Sequence, residues 1–159
     1  MSENISIVQV IQLMLAPGLM ISACGLLLLG MNNKYSLVVN RIRLLNEERR
    51  KLFKSANDKE FNYQENVRIE SISLQLSQLE HRVMLVRNAV LSYTIAVAFF
   101  VLTSLFIGAQ YFTGLQNMNN FVTIFFLFGM ILVLAGVIFA AYETIKGYEI
   151  IHLEVKVDE

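Results

Sequence analysis

The side chains able to do chemistry are few and widely separated. Gln9, Gln12 and Ala16 recur at helical spacing, with Ala23 farther along the same face, inside an uncharged stretch from Ile5 to Met31. Polar side chains within a membrane helix face other helices or water and can mark an ion or substrate path. Gln9 and Gln12 are therefore read in two ways. They line a constriction in an oligomeric pore, or they form interhelical hydrogen bonds worth about 0.6 kcal/mol each. Pro17-Gly18 follows directly. Pro17 removes a backbone hydrogen bond and crowds the preceding turn, which predicts a kink and leaves a carbonyl near Leu13 needing another partner. Glu143 lies at the edge of a second uncharged stretch, Asn88–Tyr142, and is the acid nearest the apolar interior. His81, His152 and Cys24 are too scattered for a zinc set. The sequence holds no phosphate-cradling glycine loop, no Ser-His-Asp arrangement and no paired carboxylates. The expectation is a protein that is not an enzyme, with no catalytic, metal or cofactor residues.

The elements that position these residues follow from how the charge is distributed. Of 159 residues, 55% are apolar and 16% charged, against about 45–50% and about 25% in soluble globular domains. The charges are confined to Glu3, a block from Lys34 to Arg87, and a tail from Glu143 to Glu159. A soluble enzyme domain, a nucleic-acid-binding domain and a disordered tail are all excluded. A membrane helix needs about 20 mostly apolar residues. Ile5–Met31 supplies one. The longer stretch divides at Thr113–Asn120, whose Gly114 and three asparagines are turn residues. This leaves spans at Ala89–Phe112 and Phe121–Tyr142. The reading is an all-α integral membrane protein. Residues 1–33 form the first transmembrane helix, 34–88 a polar connection, 89–142 a second and third helix joined by a short turn, and 143–159 a tail.

Basic residues accumulate on the cytoplasmic side of membrane proteins. The Lys34–Arg87 block carries 11 Lys and Arg against 7 Asp and Glu. This predicts a multi-pass protein of the bacterial inner membrane with its N-terminus outside and its central block and C-terminus in the cytoplasm. Lys34, Arg41, Arg43, Arg82 and Arg87 are expected beside lipid headgroups, where each basic residue contributes about 1 kcal/mol of attraction. Ile21-Ser22-Ala23-Cys24 fits the pattern read by lipoprotein-processing enzymes. The absence of a positive charge in Met1–Asn4 and the Leu run after Cys24 oppose that reading and favour a small buried cysteine.

Within the block, Ile69, Ile72, Leu76, Leu79, Val83, Val86 and Val90 alternate in steps of three and four. This is the seam of a coiled coil, running into the second span. Val38, Ile42, Leu45, Arg49 and Leu52 repeat the rhythm less cleanly. Asn57–Tyr63 is the natural break, and Asn62 with Glu65 suits a capping box. The block is read as a cytoplasmic, antiparallel, coiled-coil-like hairpin continuous with the first two spans. Whether the seam closes within one chain or between chains stays open.

Gln12-Leu-Met-Leu-Ala16-Pro17-Gly18, Asn40-Arg41-Ile42-Arg43-Leu44-Leu45, and Glu80-His-Arg82 leading to Asn88 together resemble a family of small bacterial membrane proteins known as domain of unknown function 2721. The resemblance covers nearly the whole chain. It implies the same layout of one span, a basic helical segment and two linked spans. It implies no activity and no site residues.

On the third span Gly129, Gly136 and Ala140 form a ridge of small residues, which lets membrane helices approach closely. The expected protein is a homo-oligomer held by heptad and small-residue interfaces, channel-like in its sharper form. It needs the lipid bilayer, associates with itself and binds no nucleic acid. The alternative is a membrane-anchored scaffold whose cytoplasmic hairpin binds a protein partner. The tail Leu153–Glu159 suits a short strand or a helix end equally.

Overall fold

The computed structural model describes residues 7–56, 63–113 and 119–157. They form three helices, α1 (Ile7–Ala56), α2 (Tyr63–Thr113) and α3 (Asn119–Val157). Among the described residues there is no strand. Each helix carries an 18-residue window long and apolar enough to cross a membrane, with mean hydropathy 2.1, 2.3 and 2.8 respectively. At 1.5 Å per residue the 50-residue α1 is about 75 Å long, more than twice a hydrocarbon core of about 30 Å, so much of it is free to lie outside lipid. The proposed capping residue Asn62 and the turn residues 114–118 lie outside the described residues. Of the two readings of the tail, helix applies: α3 continues through Val157.

The chain divides into two compact units, one of residues 1–31 and 88–139, the other of residues 32–87 and 140–159. The divisions fall beside the first charges that flank the apolar stretches, Lys34, Arg87 and Glu143.

In the first unit the helices meet around Cys24, Ala96 and Phe100, all fully buried. Met20 and Ile21 of α1, Val97 of α2, and Phe126, Leu132 and Val133 of α3 pack around them. Small residues at Cys24 and Ala96 admit the bulky Phe100, the large-against-small packing that close interiors require. The α2–α3 contact is aromatic. Phe99 meets Phe125 and Phe128 at ring distances of 5.5 and 5.9 Å, and Phe106 meets Phe125 at 5.4 Å. Tilted and offset rings at such distances add to plain area burial. Hydroxyls in this unit bond backward along their own helices: Thr103 to the Phe99 carbonyl at 2.8 Å, and Thr94 to Val90 at 2.8 Å. A hydroxyl satisfied this way can sit in an apolar helix without another partner.

In the second unit Val38 and Leu45 of α1 pack with Ile72, Leu76 and Leu79 of α2, and Ile42, Leu52 and Val83 flank them. The heptad positions Ile72, Leu76 and Leu79 thus find partners within the same chain. Val86 is also fully buried, while Ile69 is half-buried. On the rim, Arg68 Nε donates to Glu48 Oε1 at 2.8 Å.

Candidate functional site

Glu143 is the first charge on α3 after its apolar stretch, and its side chain is only 1% exposed. An isolated ionised carboxylate buried this way is prohibitively costly, so it must be paired and hydrogen-bonded. Both oxygens are engaged. Lys34 Nζ of α1 donates to Oε2 at 3.0 Å, and an Arg82 terminal nitrogen of α2 donates to Oε1 at 2.7 Å. Lys34 Nζ also donates to Thr144 Oγ1 at 2.8 Å, and that hydroxyl donates to the Ala140 carbonyl at 2.9 Å. One buried acid thereby ties together residues from α1, α2 and α3. Two cations face one anion, so the cluster carries a net charge of +1.

The glycines explain how Arg82 reaches this position. A Cβ at Gly147 would stand 2.9 Å from a terminal nitrogen of Arg82. A side chain there would push the guanidinium outward from α3. Arg82 Nε is buried without a hydrogen-bond partner, so the guanidinium is held by one edge and sealed along another. Beside the cluster opens a cleft of about 330 Å³ lined by Lys34, Leu37, Val38, Arg82, Thr144 and Gly147, with Glu143 at its base.

Gly129 and Gly136 play the same part in the first unit. A Cβ at Gly129 would lie 2.7 Å from the Phe100 ring, and one at Gly136 would lie 2.6 Å from the Tyr93 ring. Both rings are buried. Seven residues back along α2 from Phe100 to Tyr93 match seven forward along α3 from Gly129 to Gly136, so these stretches run antiparallel and in register. The small-residue ridge is therefore filled by α2 of the same chain. Ala140, half-buried, contributes the carbonyl that holds Thr144.

The remaining sequence-selected residues fall elsewhere. Gln9 and Gln12 are exposed on α1. Pro17 is fully buried, and α1 runs unbroken through it; Gly18 has open space where a side chain would be, and its carbonyl accepts the Ser22 hydroxyl at 3.3 Å. Arg41, Arg43 and Arg87 are exposed and take no part in the Glu143 cluster, while Lys34 and Arg82 turn inward to it. His81 is exposed, and no group of three or more His, Cys, Asp or Glu suited to a metal occurs among the described residues. Sequence reasoning treated Lys34, Arg82 and Glu143 as separate interfacial charges. The missed signal is that Lys34 and Glu143 are the first charges beyond two apolar stretches, where an acid at a membrane helix end demands a cation.

The family described as a protein of unknown function, DUF2721, matches residues 14–153. The chain belongs to this family. The match includes the whole Glu143 cluster, Lys34, Arg82 and Gly147 among it. No curated protein and no solved structure matches the chain. Family membership thus brings no chemistry.

Proposed function

We propose that this DUF2721 chain is a multi-pass membrane protein that works as a homo-oligomer, with the outer face of α1 as the contact between copies. One observation carries the reading. Gln9, Gln12, Ala16, Leu19, Ala23, Leu26 and Gly30 advance along α1 in alternating steps of three and four, and all seven are exposed. The Gln12 carboxamide, facing hydrocarbon, would lack the hydrogen bonds it has in water. A second Gln12 at the same depth, brought by a symmetry axis, offers both the donor and the acceptor it needs. Ala16, Ala23 and Gly30, one heptad apart, allow the close backbone approach such an axis requires. A wider ring of copies places the same carboxamides along an axial path, which is the channel-like form of the proposal.

In this reading the N-terminus lies outside, and the Lys34–Arg87 block and tail lie in the cytoplasm of an inner membrane, as the basic residues favour. The block is a helical hairpin closed within the chain, supported by the packing of Ile72 and Leu76 against Val38 and Leu45. That packing occupies the heptad seam and argues against its use between copies. The second reading, a scaffold whose hairpin docks a cytoplasmic protein, draws on exposed Leu37, Leu44 and Leu74. The chain is read as neither an enzyme nor a nucleic-acid binder.

Oxidative cross-linking of Gln12→Cys in a Cys24→Ser background tests the contact directly. A disulfide-linked dimer in membranes, lost in Ala23→Leu, is expected. A monomer in mild detergent with no cross-link removes the oligomer and its pore together. If oligomers form, purified protein in liposomes conducts ions with a flux altered by Gln12→Leu; well-ordered oligomers without conductance leave the assembly and remove the channel.

A further inference from the structure

Beyond self-association, the cleft beside Glu143 has the chemistry of a ligand site. We propose that Lys34 and Arg82 bind the phosphate of an anionic phospholipid, with Leu37, Val38 and Thr144 forming the wall that receives the rest of the molecule. The site lies within one chain and needs no second copy, so it stands or falls separately from the oligomer. It rests only on the reading that the chain spans a membrane.

The charge balance comes first. Glu143 neutralises one of the two cations, and only 1% of its side chain is exposed. The cations stay partly open, Lys34 at 42% and Arg82 at 22% side-chain exposure. The exposed charge beside the cleft is thus cationic, while most of the cleft wall is apolar. Lys34 has three N–H donors and uses two, on Glu143 and Thr144, which leaves one for an incoming oxygen. Pre-positioned cations suit phosphate oxygens, which accept strong charge-assisted bonds.

Shape favours a lipid over free phosphate. About 330 Å³ is within the range of small-molecule sites and far larger than an inorganic anion requires. The remaining walls are the apolar Leu37 and Val38 and the bare backbone at Gly147. A polar end beside an apolar wall fits an amphiphile. Position agrees: Lys34 and Glu143 stand within one helical turn of the ends of their apolar stretches, the level at which lipid phosphates lie. Basic pockets between membrane helices are an established form of anionic headgroup site.

The test is native mass spectrometry of the full chain in mild detergent after incubation with phosphatidylglycerol or phosphatidylcholine carrying the same acyl chains. Phosphatidylglycerol should remain as a one-per-chain adduct while phosphatidylcholine is lost. Lys34→Gln, which keeps the Arg82–Glu143 pair, should weaken retention about fivefold. Thr144→Leu fills the cleft with all three charges intact and should weaken it as much, while exposed Arg50→Gln, farther along α1, should not. Circular dichroism of each variant separates lost binding from lost folding. Equal retention of the two lipids, or retention indifferent to both Lys34→Gln and Thr144→Leu, overturns the site. Displacement of phosphatidylglycerol by millimolar inorganic phosphate overturns the lipid assignment and makes the ligand a free anion.

Discussion

The two units of this chain solve the same problem, holding three long helices together, with different chemistry. In the unit of residues 1–31 and 88–139 the contacts are phenylalanine rings, a small cysteine and glycines under aromatic side chains. In the unit of residues 32–87 and 140–159 they are aliphatic heptad residues and one acid clasped by two cations. In the topology proposed above, the contrast follows from solvent. Between lipid and protein there is no hydrophobic gain, so helices in a membrane associate through close packing and small residues. Where water is present, burying Ile72 and Leu45 is itself favourable, and charge can be used to fix register. The comparison teaches that a glycine in this chain marks a tight contact only where something lies across from it. Gly129, Gly136 and Gly147 face rings or a guanidinium, whereas Gly18, Gly25, Gly30 and Gly108 face open space.

The largest effect should come from the clasp. Glu143→Ala leaves Lys34 and Arg82 facing each other without their acid and should destabilise the protein by about 4 kcal/mol, read by reversible unfolding in detergent. Replacing all three charged residues with Met or Leu should restore most of that. A Glu143→Ala protein as stable as the parent would erase the distinction between the units. Next is the aliphatic core. Ile72→Ala, at a fully buried site, should cost about 3 kcal/mol. Its loss should appear as faster amide exchange in the heptad stretch of α2; exchange spread evenly along the helix would mean the seam is not a separate core. Third, Gly136→Ala forces a methyl into the buried Tyr93 ring and should cost about 2 kcal/mol, whereas Gly25→Ala should stabilise by up to about 1 kcal/mol through helix propensity. Equal effects at the two glycines would deny that facing contacts decide. The smallest effect is Arg68→Gln, which removes an exposed pair with Glu48. It should cost less than about 1 kcal/mol and become undetectable at high salt.

Much of the fold is legible in the sequence because it rests on patterns a few residues long. Uncharged runs around Ile11 and Leu132 declare apolar helices, and the three-four rhythm from Ile69 to Val86 declares a buried stripe before any partner is known. The ends at Ala56 and Tyr63 follow from the polar run between them. What cannot be read this way is pairing at a distance. Nothing local to Gly136 says that Tyr93 covers it, and nothing near Arg82 says that Gly147 makes room for it. The phenylalanines at 99, 106, 125 and 128 look like ordinary lipid-facing residues until helix register brings their rings together. The clasp is the extreme case, since Lys34 and Glu143 are separated by most of the chain. Its components are visible as isolated charges, and their meeting depends on three helices at once.

Cys24 lies at the centre of the apolar core with none of its surface accessible. As the chain has a single cysteine, the folded protein offers bulky thiol reagents no ready target. The native sequence is therefore already a quiet background for site-directed labelling. A cysteine placed at Leu37 or Leu44 would report which side of the bilayer it occupies without first removing the native thiol, and Cys24 itself would become reactive only when the three helices part.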